Sequence, residues 1–179
     1  VFLDRDGTLI EDSGFIGDPE RVRILPTVVE ALRLLGERGF AAIVVSNQSG
    51  VARGYFDDGA VRAVNARVAQ LLANDGVALD AWYHCPHYGE PCECRKPSPG
   101  MIRRAAEDHA LDVARSTVVG DRGSDIALAH GLGIPGVLVP GPEPYAGPEP
   151  DYRAATLLEA ARWIVTRAER GAGEAAARG

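Results

Sequence analysis

Three short polar clusters each follow an apolar run in this 179-residue chain. Asp4-Arg5-Asp6-Gly7-Thr8 comes after Val1–Leu3, Ser46-Asn47-Gln48 after Ala41–Val45, and Gly120-Asp121-Arg122-Gly123-Ser124-Asp125 after Thr117–Val119. Two carboxylates one residue apart can divide labour, one attacking as a nucleophile and the other exchanging a proton within hydrogen-bond reach. Crowded acidic groups repel one another, which costs stability unless a cation lies among them. Oxygen-only donors with room for water suit Mg²⁺, which takes a few carboxylates plus substrate phosphate. A lone Asp-x-Asp is explained as well by an exposed turn, and Asp121 with Asp125 by the capping of a helix. Three clusters at equivalent places favour one shared site.

A second constellation is Cys85-Pro86-His87 followed by Cys92-Glu93-Cys94. Three thiolates and an imidazole complete a tetrahedral zinc shell with no open position, the pattern of a structural site. The alternative is buried thiols beside an unrelated histidine. All three cysteines of the chain fall in this one stretch, which favours zinc. His84 is expected to point into the core or against the metal loop, and His109 and His130 to be ordinary helix residues.

The elements that must position these groups alternate along the chain. Val1–Leu3, Ala41–Val45, Ala81–His84, Thr117–Val119 and Gly136–Val139 are short and rich in β-branched or aromatic residues, as buried parallel strands are. Thr27 and Glu30 form a capping-box pattern around a helix with Val28, Leu32 and Leu35 on one face, and Gly39 marks its stop. A second helix starts near Asp57 or Asp58 with Val61, Val64, Val68, Leu71 and Leu72 on one stripe. A third opens at Ser98-Pro99, with Ser as N-cap and Pro at the first helical position. A fourth follows Asp121, and a last carries Leu158, Ala161, Ile164, Val165 and Ala168. The alternation predicts a doubly wound, mainly parallel, Rossmann-like α/β sheet with helices on both faces. In such a sheet ligands bind beyond the carboxyl ends of the strands, where the three clusters fall.

Residues 1–170 are expected to form a single domain, with Pro140–Pro150 as a loop and 171–179 as a frayed tail without a periodic face. The net charge of −6 argues against a general nucleic-acid binder. No apolar run approaches the length of a membrane span. Few cysteines, gathered in one loop, fit a reducing compartment, so a cytoplasmic protein is expected.

Asp4-x-Asp6-x-Thr8 after the first strand, Ser46 after the second, Lys96 ahead of a helix and Gly120-Asp121-x-x-x-Asp125 after the fourth strand resemble, in order, the four motifs of the haloacid dehalogenase-like hydrolases. The resemblance spans nearly the whole chain. It implies a Mg²⁺-dependent phosphatase in which Asp4 is the nucleophile and Asp6 the general acid and base. Asp4, the backbone carbonyl of Asp6, and Asp121 would hold Mg²⁺, Ser46 and Lys96 would bind the phosphoryl group, and Asp125 would orient the metal's surroundings. Too few residues lie between the motifs for the cap domain that many relatives insert. The zinc loop directly before Arg95-Lys96-Pro97 resembles two phosphatase groups of the family, acting on heptose 1,7-bisphosphate or on histidinol phosphate. Ser46-Asn47-Gln48-Ser49-Gly50-Val51-Ala52-Arg53-Gly54 is more similar to the heptose group, which usually carries Lys where Arg122 stands. That resemblance implies contacts to the sugar or a distal phosphate from Asn47, Gln48, Ser49, Arg53, Arg95 and Arg122. It also implies closure of Asp12, Ser13, Gly14 and Phe15 over the substrate. A monomer acting on a small phosphorylated sugar is expected, without nucleic-acid or membrane partners. An open site also suits a protein phosphatase, whereas an inactive binding module would lack a motif residue and none is missing.

Overall fold

Successive residues of a strand face opposite sides of a sheet, so strands apolar throughout must be covered on both sides. In the computed structural model, which describes residues 1–176, this is what the central strands do. Six strands, β1 (Phe2–Leu3), β2 (Ile43–Asn47), β3 (Ala81–Cys85), β4 (Val118–Gly120), β5 (Gly136–Leu138) and β6 (Tyr152–Arg153), form one sheet in the order β3-β2-β1-β4-β5-β6. Every pairing is parallel. Phe2, Ile43, Val45 and Val118 pack with α3 (Gly100–His109) and α4 (Gly123–Gly131). Leu3, Val44, Val119 and Val137 pack on the other side with α1 (Val28–Glu37), α2 (Asp58–Asn74) and α5 (Leu157–Ala176). In α1 the buried residues are Val28, Ala31, Leu32 and Leu35. Each of its larger ones contributes about 1.5–3 kcal/mol of transfer free energy.

The strand order reverses beside β1: the chain winds outward through β2 and β3, then returns to β4 on the other flank. That reversal opens a crevice at the carboxyl ends of β1 and β4, the usual ligand position of such sheets. Between β1 and α1 lies only one 3₁₀ turn, Pro19–Arg21, and between β2 and β3 only α2, so neither stretch builds a cap. Among the described residues no helix is long and apolar enough to cross a membrane.

Several local expectations are corrected. Thr27 has a left-handed backbone, φ 68°, and its hydroxyl makes no cap; it accepts from the Leu158 N–H of α5 at 3.4 Å. Capping needs extended backbone at that position, so here tertiary packing takes the hydroxyl away from its own helix. At α3 the chain turns once before the helix, Ser98 N–H donating to the Arg95 carbonyl, and Pro99 stands at the N-cap without a side-chain cap. Asp57 does cap α2, accepting from the Ala60 N–H at 2.8 Å. β2 runs two residues beyond its expected end, so Ser46 and Asn47 lie within the strand. β6 is only two residues long, too short for a periodic signal. Residues 171–176 of the expected frayed tail continue α5 to Ala176 with Gly171 and Gly173 inside it, because lengthening a formed helix avoids the cost of nucleation and Ala and Glu offset the low propensity of glycine. Residues 177–179 of that tail lie outside the described residues.

Candidate active site

Asp4 leaves β1 with its N–H bonded to the Val119 carbonyl at 2.9 Å, which fixes it against the end of β4. Its Oδ1 accepts from the Arg5 N–H at 2.7 Å and lies 2.8 Å from the buried Lys96 ammonium. The same ammonium is 2.6 Å from Asp125, an ion pair by distance whose angles fall outside hydrogen-bond geometry. Burial opposes the Lys96 charge, but Asp125 and Asp4 outweigh it and hold its pKa above the ordinary lysine value. Asp121 follows β4, and oxygens of Asp4, Asp121 and Asp125 lie within 4.8 Å of one another. Burial, reinforced by the charges of Asp4 and Asp125, pushes Asp121 up to about 7. Burial likewise raises Asp125 to about 6 against the pull of Lys96. Lys96 therefore pairs with two of the three carboxylates, and Asp121 Oδ1 is buried without a hydrogen-bond partner. A hard divalent cation such as Mg²⁺ fits this donor set and its orphaned oxygen. Gly7 makes the close approach possible: at its φ of +80° a Cβ would lie 2.4 Å from an Asp121 oxygen.

Asp6 is held differently. Its carboxylate accepts from Arg5 Nε at 3.1 Å, Arg5 Nη2 at 3.0 Å and Gln48 Nε2 at 2.8 Å. Arg5, 1% exposed, also donates to Asn65 at 2.8 Å and to Gln48 Oε1 at 3.0 Å. Burial pushes the Asp6 pKa up, with Asp4 adding and Arg5 and Gln48 opposing. A carboxyl fixed by two donors, and kept from a low pKa by burial, can both release and take up a proton.

The second constellation also assembles. Cys85 ends β3, and the chain returns through Cys92 and Cys94 to Lys96. Ligand atoms of Cys85, His87, Cys92 and Cys94 lie within 4.8 Å of one another. Separations are 2.9 Å for Cys85–Cys94, 3.2 Å for His87 Nδ1–Cys94, 3.6 Å for Cys85–Cys92 and for Cys85–His87 Nδ1, and 3.7 Å for Cys92–Cys94. Bond lengths of about 2.0–2.3 Å to zinc imply tetrahedral edges of roughly 3.3–3.8 Å, so the donors fit that ion in kind, with Cys94 drawn closer to Cys85 and His87 than such an edge. His84 lies apart, paired with Asp58 of α2 at 2.5 Å.

Asp4, Asp6, Ser46 and Lys96 open into a cleft of about 560 Å³. Its wall carries Asp12, Gly14, Phe15, Ser49, Arg53, Arg95 and Arg122. Ser13 is turned away and bonds Arg21. Asn47 and Gln48 line the cleft with their amides already engaged. Asn47 accepts from the Lys96 N–H at 3.0 Å and donates to its carbonyl at 3.2 Å, while Gln48 spans Asp6, Ser46 and Arg5. Both brace the site from within the cleft wall. Asp125 accepts from the Arg122 N–H at 3.0 Å, so it caps α4 as well as pairing with Lys96. Arg122 itself is paired with Asp12 at 2.7 Å and Glu143 at 3.4 Å.

A HAD-hydrolase-like family model matches residues 93–160. A D-glycero-D-manno-heptose-1,7-bisphosphate 7-phosphatase of Thermosynechococcus vestitus is 40% identical over 187 residues, covering 93% of this chain and 95% of that protein. The chain belongs to the HAD-like hydrolases and is a phosphatase. The D-glycero-beta-D-manno-heptose-1,7-bisphosphate 7-phosphatase of Yersinia pestis is 41% identical over 143 residues, 74% of this chain and 76% of that one. The crystal structure of a D,D-heptose 1,7-bisphosphate phosphatase from B. bronchiseptica, complexed with magnesium and phosphate, superposes with a TM-score of 0.83. It is 32% identical, over 93% of this chain and 98% of the other.

Within this HAD-like phosphatase the sequence pattern left six site residues unassigned: Arg5, which grips Asp6, and Ile16, Tyr88, Ser124, Pro142 and Glu143 on the cleft wall. Arg5 was the most accessible of them, since an arginine between two strand-end aspartates has charge partners on either side. Tyr88 gave only the signal of an aromatic residue within a polar metal loop.

Proposed function

We propose that this phosphatase removes the C7 phosphate of a D-glycero-D-manno-heptose 1,7-bisphosphate through an aspartyl-phosphate on Asp4. An Asp4 oxygen attacks phosphorus, the bond from phosphorus to the C7 oxygen breaks, and the leaving alkoxide takes a proton from Asp6. Water then gives a proton to Asp6 and attacks phosphorus, releasing phosphate and the Asp4 carboxylate. Ser46 and Lys96 would hold the phosphoryl oxygens while their charge redistributes. Mg²⁺ held by Asp4, Asp121 and the Asp6 carbonyl would supply positive charge between nucleophile and phosphate, with Asp125 as support. Zinc held by Cys85, His87, Cys92 and Cys94 would fix the loop that presents Arg95 and Lys96.

The observation that carries the substrate reading is the uneven use of the cleft's arginines. Arg122 is neutralised by Asp12 and Glu143, whereas Arg53 and Arg95 have no carboxylate partner among the described residues. Two uncommitted guanidiniums on the wall that leads to Asp4 suit a second phosphate better than the cationic amine of histidinol phosphate. The names of the similar proteins from T. vestitus and Y. pestis support the same substrate. The test is kcat/KM for the heptose bisphosphate against histidinol phosphate, simple sugar phosphates and a phosphopeptide. The bisphosphate should lead; a lead for any other compound overturns the assignment.

A further inference from the structure

The three exposed large apolar side chains of the described protein, Phe15, Tyr55 and Tyr88, share one place, the rim of the cleft around Arg53. The Arg53 guanidinium carbon lies 3.6 Å from the Tyr88 ring centroid and 5.5 Å from that of Phe15. Phe15 in turn meets Tyr55 edge-on at 4.7 Å. Tyr88 also lies under Arg95, 5.4 Å away, and Arg95 donates to the His87 carbonyl at 3.1 Å. Three loops converge here: the one after β1, the one after β2, and the metal loop after β3.

A free arginine on a surface loop samples many rotamers, and ordering it on binding costs conformational entropy. A guanidinium held face-on to a ring has that freedom already restricted, while its N–H edge stays open to an anion. We propose that Tyr88 is a positioning residue for the distal phosphate: it orders Arg53, and less closely Arg95, so that the metal loop sets the geometry of the second anion site. This rests on the bisphosphate reading above. No part of the reacting centre touches Tyr88, so its effect belongs in KM for the bisphosphate and not in the chemical step.

The test compares wild type with Tyr88→Ala, Tyr88→Leu and Tyr88→Phe on the heptose bisphosphate and on p-nitrophenyl phosphate, with zinc content measured for each. Tyr88→Ala and Tyr88→Leu should raise KM for the bisphosphate about two- to fivefold, the range of an exposed cation–π contact, with kcat held within about twofold. Tyr88→Phe keeps the ring and should restore the wild-type value. In an Arg53→Ala background, Tyr88→Ala should lose most of its effect, because the residue it orders is gone. The idea is overturned if Tyr88→Ala leaves KM unchanged in a wild type that prefers the bisphosphate. An undiminished effect without Arg53, or loss of zinc in the Ala variant, overturns it too. A wild type with no preference for the bisphosphate overturns the substrate reading itself, and this inference with it.

Discussion

The chemistry turns on how two aspartates of the same type, two positions apart, come to differ. Asp4 sits between a lysine and two further carboxylates, while Asp6 is gripped by Arg5 and Gln48 at the edge of that field. Asp4→Asn keeps nearly the same shape and removes the nucleophile, so turnover should vanish while the circular dichroism spectrum and thermal midpoint stay close to wild type. Asp6→Asn removes the proton carrier from both half-reactions and should slow steady-state turnover by ~10²-fold or more. Near-normal rates in either variant would defeat the assigned roles. Lys96 has a stability role as well, since it is the cation compensating Asp4 and Asp125 in a buried place. Lys96→Met leaves those carboxylates unpaired and should cost about 3–5 kcal/mol in urea unfolding without added divalent ions.

At the scale of elements, the register of β2 against β3 brings Ser46 opposite His84 and Asn47 opposite Cys85. The end of β2 that carries Ser46 and the start of the Cys/His loop are therefore neighbours in the sheet, and Asn47 clamps the loop's exit at Lys96. The metal loop then runs directly into α3, where the Gly100 N–H donates to the Glu93 carbonyl at 2.9 Å. A Cβ on Gly100 would meet that carbonyl oxygen at 2.4 Å, so Gly100→Ala must displace backbone. It should destabilise by about 1–3 kcal/mol, read by denaturant unfolding. Zinc should copurify at one ion per chain, and Cys92→Ser should lose it and weaken substrate binding or folding. Active wild-type protein without transition metal on elemental analysis would remove zinc from the account.

For the whole molecule, two sets of candidate metal donors of opposite chemistry are joined through a single lysine-bearing segment. The carboxylate set is open to the cleft and oxygen-only, whereas the thiolate set is closed by its own four donors. Mild chelation should therefore strip Mg²⁺ first, stopping phosphate release while zinc stays bound, and added Mg²⁺ should restore the rate. Full activity without any divalent ion would rule out the proposed use of the carboxylate set. Without a cap, the mouth of the cleft is built from the loops after β1, β2 and β3 and from the segments after β4 and β5 that carry Arg122 and Glu143.

The sequence by itself determined the sheet, its strand count apart from β6, and which polar residues gather at the carboxyl ends of its strands. Those features follow from local chemistry: apolar runs must be covered on both faces, and carboxylates at strand ends must share a crevice. The clustering of Cys85, His87, Cys92 and Cys94 was equally legible, because four donors in one short loop leave little choice of partner. Tertiary structure alone decided how each polar side chain is spent. Thr27 serves α5 and not its own helix, Asn47 and Gln48 brace Lys96 and Asp6, Arg122 is neutralised across the cleft by Asp12, and Tyr88 meets Arg53 from another loop. A hydrogen bond or ion pair between residues tens of positions apart leaves no periodic trace in the chain. It depends on which loops the strand order brings to the same edge of the sheet.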